Sequence, residues 1–155
     1  MGKRSRFEKW KEDFSAKFKT ELDNQIIAHN AETDDTITLP NIGAVSNFTL
    51  NDRAINYDVI LLFYPFDVDP QSVGPFLQKD IEIEIDILYG KNPTEENYRI
   101  MYRYQELLEA TFSAVYRSIP GTKPDFTPSF PVYWRDQKVN RGYLVTGIGT
   151  TINLW

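Results

Sequence analysis

The sequence contains no cysteine and a single histidine, His29. The absence of cysteine excludes disulfides, thiolate metal sites and thiol nucleophiles. With one histidine, the chain has neither a histidine-rich metal site nor a helical His-Glu-x-x-His motif. His29 falls near the end of the first predicted helix, where a cationic side chain suits the helix dipole, so we interpret it as structural.

Catalytic and cofactor motifs are also missing. There is no Gly-x-Ser-x-Gly elbow and no Gly-x-x-x-x-Gly-Lys phosphate loop. The pair Gly147 and Gly149 lies inside a predicted strand that no helix follows, so it is no dinucleotide loop. We therefore expect no catalytic residues, no cofactor and no metal, and hence a protein that is not an enzyme.

Long hydrophobic runs are absent too. The longest, Val59 to Tyr64, is the length of a strand and far below the ~20 residues that cross a bilayer. The N-terminus has no apolar signal-peptide core. We expect a protein that has no membrane partner and that stays, at least initially, in the cytoplasm.

The residues that are present favour one globular domain. The chain has 155 residues, of which 41% are hydrophobic and 14% aromatic, so residues 1–155 can bury a core of their own. Charge is unevenly distributed: residues 1–19 carry seven basic and three acidic side chains, and the rest carries ten basic and nineteen acidic ones. Such a split indicates that different faces meet different partners.

Residues 81–89 alternate between apolar and acidic side chains and predict a strand with one buried and one wet face. The wet face carries Glu82, Glu84 and Asp86. Glu82 and Glu84 are roughly 7 Å apart by the strand rise, a spacing that catalytic carboxyl pairs also have. Three adjacent acids on an open face should stay ionised, so we favour contact with water or a basic partner over catalysis or a hard cation.

Two helices are predicted from apolar residues spaced three and four apart. The first covers residues 4–28, with the stripe Phe7, Trp10, Phe14, Phe18 and Leu22. Its other faces carry the basic residues Arg4, Arg6, Lys9, Lys11 and Lys17. We expect it to pack on a sheet. Bridging between subunits and binding at a membrane surface are the alternatives, and its acidic residues disfavour the second. The second helix starts at an Asn92 cap followed by Pro93 and runs to about Ser118, with Gln105 as a polar gap in its stripe.

The remaining strands are predicted at Ile55–Phe66 and Tyr143–Trp155. Residues 30–54 are predicted to be a loop or a loose hairpin with short strands at Thr36–Leu39 and near Val45–Leu50. In the last strand Gly147 and Gly149 share a face, where bare backbone allows close approach. This order predicts an α+β fold: a mainly antiparallel sheet with both helices packed on one face.

Residues 120–140 have neither helical nor strand periodicity. Four prolines alternate with large aromatic side chains, which argues against disorder. We predict either a packed loop or an extended arm that lies in a groove of this subunit or of a neighbouring one. The arm residues are Phe126, Phe130, Tyr133 and Trp134.

The order of elements resembles that of tail terminator proteins of long-tailed bacteriophages and of related tail-completion and neck proteins. The matching pieces are Arg4–Ala28, Ile55–Pro65, Asp80–Tyr89, Pro93–Ser118 and Tyr143–Trp155. The resemblance covers most of the chain but includes no short diagnostic motif.

The resemblance implies a virion structural protein that is assembled in the host cytoplasm. It implies a homo-oligomeric ring, commonly a hexamer, at the head-proximal end of the tail. Such a ring ends polymerisation of the tail tube protein, docks a head-completion or connector protein, and lets DNA pass through its lumen. A neck or connector role, or a non-viral binding module that uses the proline-aromatic arm, is the alternative.

Within such a ring the acidic strand face has two possible positions. Glu82, Glu84 and Asp86 either line the lumen, where negative charge does not retain DNA, or meet the basic helix of a neighbouring subunit. Reversing all three to lysine separates the two, since lumen placement predicts rings that pass DNA poorly and intersubunit placement predicts no rings.

Overall fold

The computed structural model describes residues 5–47, 56–65, 67–68, 80–138 and 140–153, with only the backbone at 67–68. Within these ranges the elements are α1 (Arg6–Glu32), β1 (Ala44–Asn47), β2 (Val59–Phe63), β3 (Asp67–Val68), β4 (Ile81–Tyr89), α2 (Glu95–Val115), a 3₁₀ turn (Tyr116–Ser118), β5 (Thr122–Asp136) and β6 (Arg141–Ile152). The predicted α+β fold is confirmed.

One sheet holds all the described strands. Its order is β1-β2-β4-β6-β5, and the short β3 pairs with β4. Every pairing is antiparallel except that of β1 with β2. The sheet therefore has β5 as one edge, and β4 and β6 run through its centre.

Residues 120–140 were predicted to be a packed loop or an extended arm in a groove. The loop is wrong, and the extended segment lies in the sheet instead, because Thr122–Asp136 forms β5 and pairs with β6. Two features hide this strand in the sequence. Prolines are tolerated at a sheet edge, where N–H groups need no partner. Register shifts against β6 between Thr122 and Phe126, and between Ser129 and Val132, also interrupt the alternation of faces.

Of the loop and the loose hairpin predicted before β2, the hairpin is wrong. Residues 36–39 form no strand, because the Asn30 side chain binds both backbone groups of Leu39. The Asn30 Nδ2 donates to the Leu39 carbonyl oxygen at 2.9 Å, and the Asn30 Oδ1 accepts from the Leu39 N–H at 2.7 Å. The second short strand is confirmed as β1, but it pairs in parallel with β2. Residues 48–50 of that prediction lie outside the described part of the chain.

Both predicted helices are confirmed, with different starting residues. Ser5 caps α1 in a reciprocal box with Glu8. Thr94, rather than Asn92, caps α2, since the backbone N–H of Asn97 donates to the Thr94 Oγ1 at 3.2 Å.

The main core lies between the sheet and the helices. The aromatic stripe of α1 is fully buried at Phe14 and Phe18, whose rings meet that of Phe63 edge-on at 6.3 and 5.9 Å. Burying each such ring stabilises the fold by about 1.5–3 kcal/mol. The odd-numbered residues of β4 face this core, and its acidic positions therefore face away from the helices.

Gln105 holds the irregular part of β5 in place. This buried residue of α2 contacts the Thr146 hydroxyl at 2.6 Å. With its amide nitrogen turned towards the strands, it also donates to the carbonyls of Ser129 and Gly147, each at 3.0 Å. This explains why a polar residue interrupts the apolar stripe of α2. The register shift in β5 leaves carbonyl groups that face α2, and Gln105 donates to them.

We expect Gln105→Met, which keeps the volume, to lower the free energy of unfolding by about 1–3 kcal/mol, because the carbonyls of Ser129 and Gly147 lose a donor. Urea denaturation followed by circular dichroism measures this. Glu106→Gln, at an exposed position of the same helix, is the control. Unchanged stability of Gln105→Met would show that the bulge does not need the amide.

Candidate functional site

The sheet face that points away from the helices, here called the outer face, carries the unusual chemistry of the molecule. Leu62, Asp86 and Gly147 lie side by side across β2, β4 and β6. One step along, Glu84 pairs with Gly149 of β6, which pairs with Thr127 of β5. The outer face thus has an apolar end near Leu62 and an acidic end near Glu84.

The acidic end forms a groove of about 650 Å³, here called the acidic groove. Its lining includes Tyr64, Glu82, Glu84, Asp125, Thr127 and Gly149. Glu82, Glu84 and Asp125 are exposed. The groove nevertheless removes part of the water around Glu84, and this partial burial raises the pKa of the Glu84 carboxyl. The groove brings together Glu82 and Glu84, which were predicted, and Asp125 of β5, which was not singled out because β5 was taken for a loop.

Asp86 departs from the prediction of a wet acidic face, because only 5% of it is exposed. Its burial, reinforced by the charge of Glu84 and opposed by the Tyr64 hydroxyl, raises the pKa of the Asp86 carboxyl to about 7. Its Oδ1 has no hydrogen-bond partner among the described residues. Gly147 makes room for it, since a Cβ there would lie 1.9 Å from that oxygen.

These acids form no recognisable metal centre. Among the residues that the structure describes, no group of three or more acidic or histidine side chains is placed to hold a metal ion. Reversing all three acids to lysine no longer separates a lumen position from an intersubunit position, because a lysine at Asp86 would be buried and would unfold the chain. Of the three predicted acids, Glu82 and Glu84 can report on what the groove contacts.

The second candidate surface is the exposed part of β5, residues 130–134. Phe130, Val132, Tyr133 and Trp134 are 68%, 58%, 44% and 45% exposed, and we call these four residues the aromatic edge. The ring of Trp134 stacks on that of buried Tyr143 at 5.9 Å, which fixes its orientation. Val132 was missed from the sequence because no strand was predicted there.

Phe126, which was grouped with the arm, belongs to the protein's own core. It is partly buried and its ring meets that of Phe112 in α2 edge-on at 5.6 Å. The register shift after Ser129 separates it from the exposed part of β5.

No family model and no curated protein matches this chain. The candidate functional surfaces are thus taken from the geometry alone, and they are the acidic groove and the aromatic edge.

The basic face of α1 is smaller than predicted. Lys11 is buried, its Nζ donates to the carbonyls of Phe63 and Tyr64 at 3.3 and 2.8 Å, and burial lowers the pKa of its ammonium group to about 8. Arg6, Lys9 and Lys17 are exposed, and Arg4 lies outside the described residues.

In the described part of the chain, neither helix is long and apolar enough to cross a membrane.

Proposed function

We propose that this chain is a structural subunit that assembles with copies of itself through the aromatic edge, in the manner of the ring that closes a phage tail at its head-proximal end. The observation that supports the proposal is the position of four exposed apolar side chains on β5, which pairs only with β6 among the described strands. The prolines and register shifts of β5 oppose pairing with a further strand. The contact is therefore made by side chains rather than by backbone hydrogen bonds.

The composition of the aromatic edge suits a protein interface. Tyr, Trp and Phe are enriched in the cores of protein–protein interfaces and account for most of their binding energy. Trp134 is already oriented by Tyr143, so less side-chain freedom is lost when a partner covers it. Singly scattered apolar residues need no explanation, but a group of four along one strand does.

The order of elements supports the more specific role. An N-terminal helix, a central antiparallel sheet and a second helix on the same sheet face match the pattern expected from the resemblance to tail terminator proteins. In that role the subunit forms a ring without catalysis, binds the tail tube protein and a head-completion protein, and surrounds the DNA channel in the virion.

The proposal is tested by the molar mass in solution. We expect the unmodified protein to form a defined oligomer by light scattering at micromolar concentration. The double variant Phe130→Ser/Trp134→Ser should raise the dissociation constant by at least about 100-fold, because two hot-spot aromatics are lost.

Matched controls are the exposed residues Ile27 and Tyr102, which lie on the helices. Ile27→Ser/Tyr102→Ser removes a similar apolar area and should leave the oligomer unchanged. A chain that stays monomeric at every concentration, alone and with a tail tube protein, contradicts the proposal. An oligomer that needs a connector protein instead supports the neck role.

A further inference from the structure

The acidic groove and the tip of the β5–β6 hairpin lie at opposite ends of the same strands. At the tip Asp136 pairs with Arg141, and in the groove Thr127 pairs with Gly149. The eight residue steps from Arg141 to Gly149 span roughly 26 Å at the usual strand rise. Because β6 is a single extended strand over this length, the tip of a chain cannot enter its own groove.

The two ends carry opposite charge. The groove has the exposed carboxylates of Glu82, Glu84 and Asp125. At the tip, Arg135 and Lys138 are exposed.

The groove also has room for an inserted segment. Its floor at Gly149 is open, since a Cβ placed there would meet only backbone oxygens of Ile83 and Thr127, each 4.0 Å away. A volume of about 650 Å³ holds a few side chains. The tip offers side chains of two kinds, the cations of Arg135 and Lys138 and, just behind them, the aromatic edge.

We infer that the hairpin tip of one copy inserts into the acidic groove of the next. This inference rests on the proposed self-assembly and identifies the surface that receives the aromatic edge. A contact between two different surfaces of the same chain is heterologous, so copies joined in this way form a closed ring or an open filament, and a two-fold dimer arises only when two copies exchange tips.

Charge reversal on each side provides the test. We expect the tip variant Arg135→Glu/Lys138→Glu and the groove variant Glu82→Lys/Glu84→Lys each to raise the dissociation constant by at least about 100-fold, because like charges would meet. An equimolar mixture of the two variants should regain the wild-type mass, since each tip then faces a groove of opposite charge. Circular dichroism melting confirms that both variants fold.

A steric variant gives an independent measurement. Gly149→Trp should fill the groove and abolish assembly, whereas Gly149→Ala should assemble like the wild type. If the wild-type protein assembles and Phe130→Ser/Trp134→Ser does not, yet folded charge variants and Gly149→Trp assemble normally, the tip-in-groove contact is wrong and the aromatic edge meets another surface. A wild-type chain that never assembles overturns the proposed function, and this inference with it.

Discussion

Gly147→Ala is expected to lower the free energy of unfolding by about 2–4 kcal/mol, whereas Gly149→Ala should change it by less than about 1 kcal/mol. The two glycines are two residues apart on the same face of β6 and differ in what lies above them. A Cβ on Gly147 would come within 1.9 Å of Asp86 Oδ1 and 2.7 Å of the Ile85 carbonyl oxygen.

The backbone contact makes the clash at Gly147 costly. The Asp86 carboxyl could rotate, but the Ile85 carbonyl belongs to β4, the strand that pairs with both β2 and β6. Relief therefore requires a shift in the centre of the sheet. At Gly149 the same methyl group meets no atom closer than 4.0 Å, and alanine there also restricts the unfolded chain.

Urea denaturation of the two variants, followed by circular dichroism at pH 7, gives both free energies from one protocol. Gly147→Ala/Asp86→Ala is the informative third variant, since removal of the carboxyl leaves only the backbone clash. Equal stability of Gly147→Ala and Gly149→Ala would mean that neither Asp86 nor the Ile85 carbonyl lies this close to Gly147.

Asp86→Asn is expected to stabilise the protein by about 2–4 kcal/mol at pH 8 and to have little effect at pH 4. Asparagine has nearly the shape of aspartic acid but does not ionise. The gain depends on pH because burial raises the pKa of the Asp86 carboxyl from 3.8 to about 7 in the folded chain.

A raised carboxyl pKa means that the folded state holds its proton more tightly than the unfolded state does. Well below pH 3.8 the Asp86 carboxyl is protonated in both the folded and the unfolded state, and its ionisation does not lower the free energy of unfolding. Between pH 3.8 and 7 the unfolded state ionises first, so stability falls as pH rises, and above pH 7 the full cost of about 4 kcal/mol is reached. Glu84, whose pKa is also raised, contributes in the same direction and remains in both proteins.

The measurement compares the free energies of unfolding of wild type and Asp86→Asn from pH 4 to pH 8. The difference between the two should grow with pH over this window and level off near pH 7.5. A difference that is constant from pH 4 to pH 8 would show that Asp86 is ionised throughout in the folded protein. Glu82→Gln removes one carboxylate at an exposed position of the same strand and is the matched control for the substitution itself.

The two predicted helices and the strand at residues 81–89 show what local pattern can determine. Each has an apolar period that matches its geometry over many residues, so the α+β class and the packing of the Phe14 stripe follow without knowledge of the neighbours. Helix starts are less certain, because several polar residues near Asn92 can act as caps and geometry selects Thr94.

The strand β5 and the burial of Asp86 show where local pattern is insufficient. Prolines and two register shifts remove the alternation of β5, and only its pairing with β6 defines it as a strand. The pattern of β4 correctly places Asp86 on the face opposite the core, yet it cannot show that this part of the outer face is closed to solvent. Lys11 likewise reads as a surface lysine, and its burial depends on carbonyls more than fifty residues away.

The sequence by itself determined the fold class, the direction in which each residue of β4 points and the absence of the usual catalytic and cofactor motifs, because these depend on residue type and spacing along one segment. Only the tertiary structure decided which acids are exposed, that the proline-aromatic segment is a sheet edge, and that groove and hairpin tip lie at opposite ends of β6. Those properties depend on strand register and on contacts between distant segments, which no local period encodes.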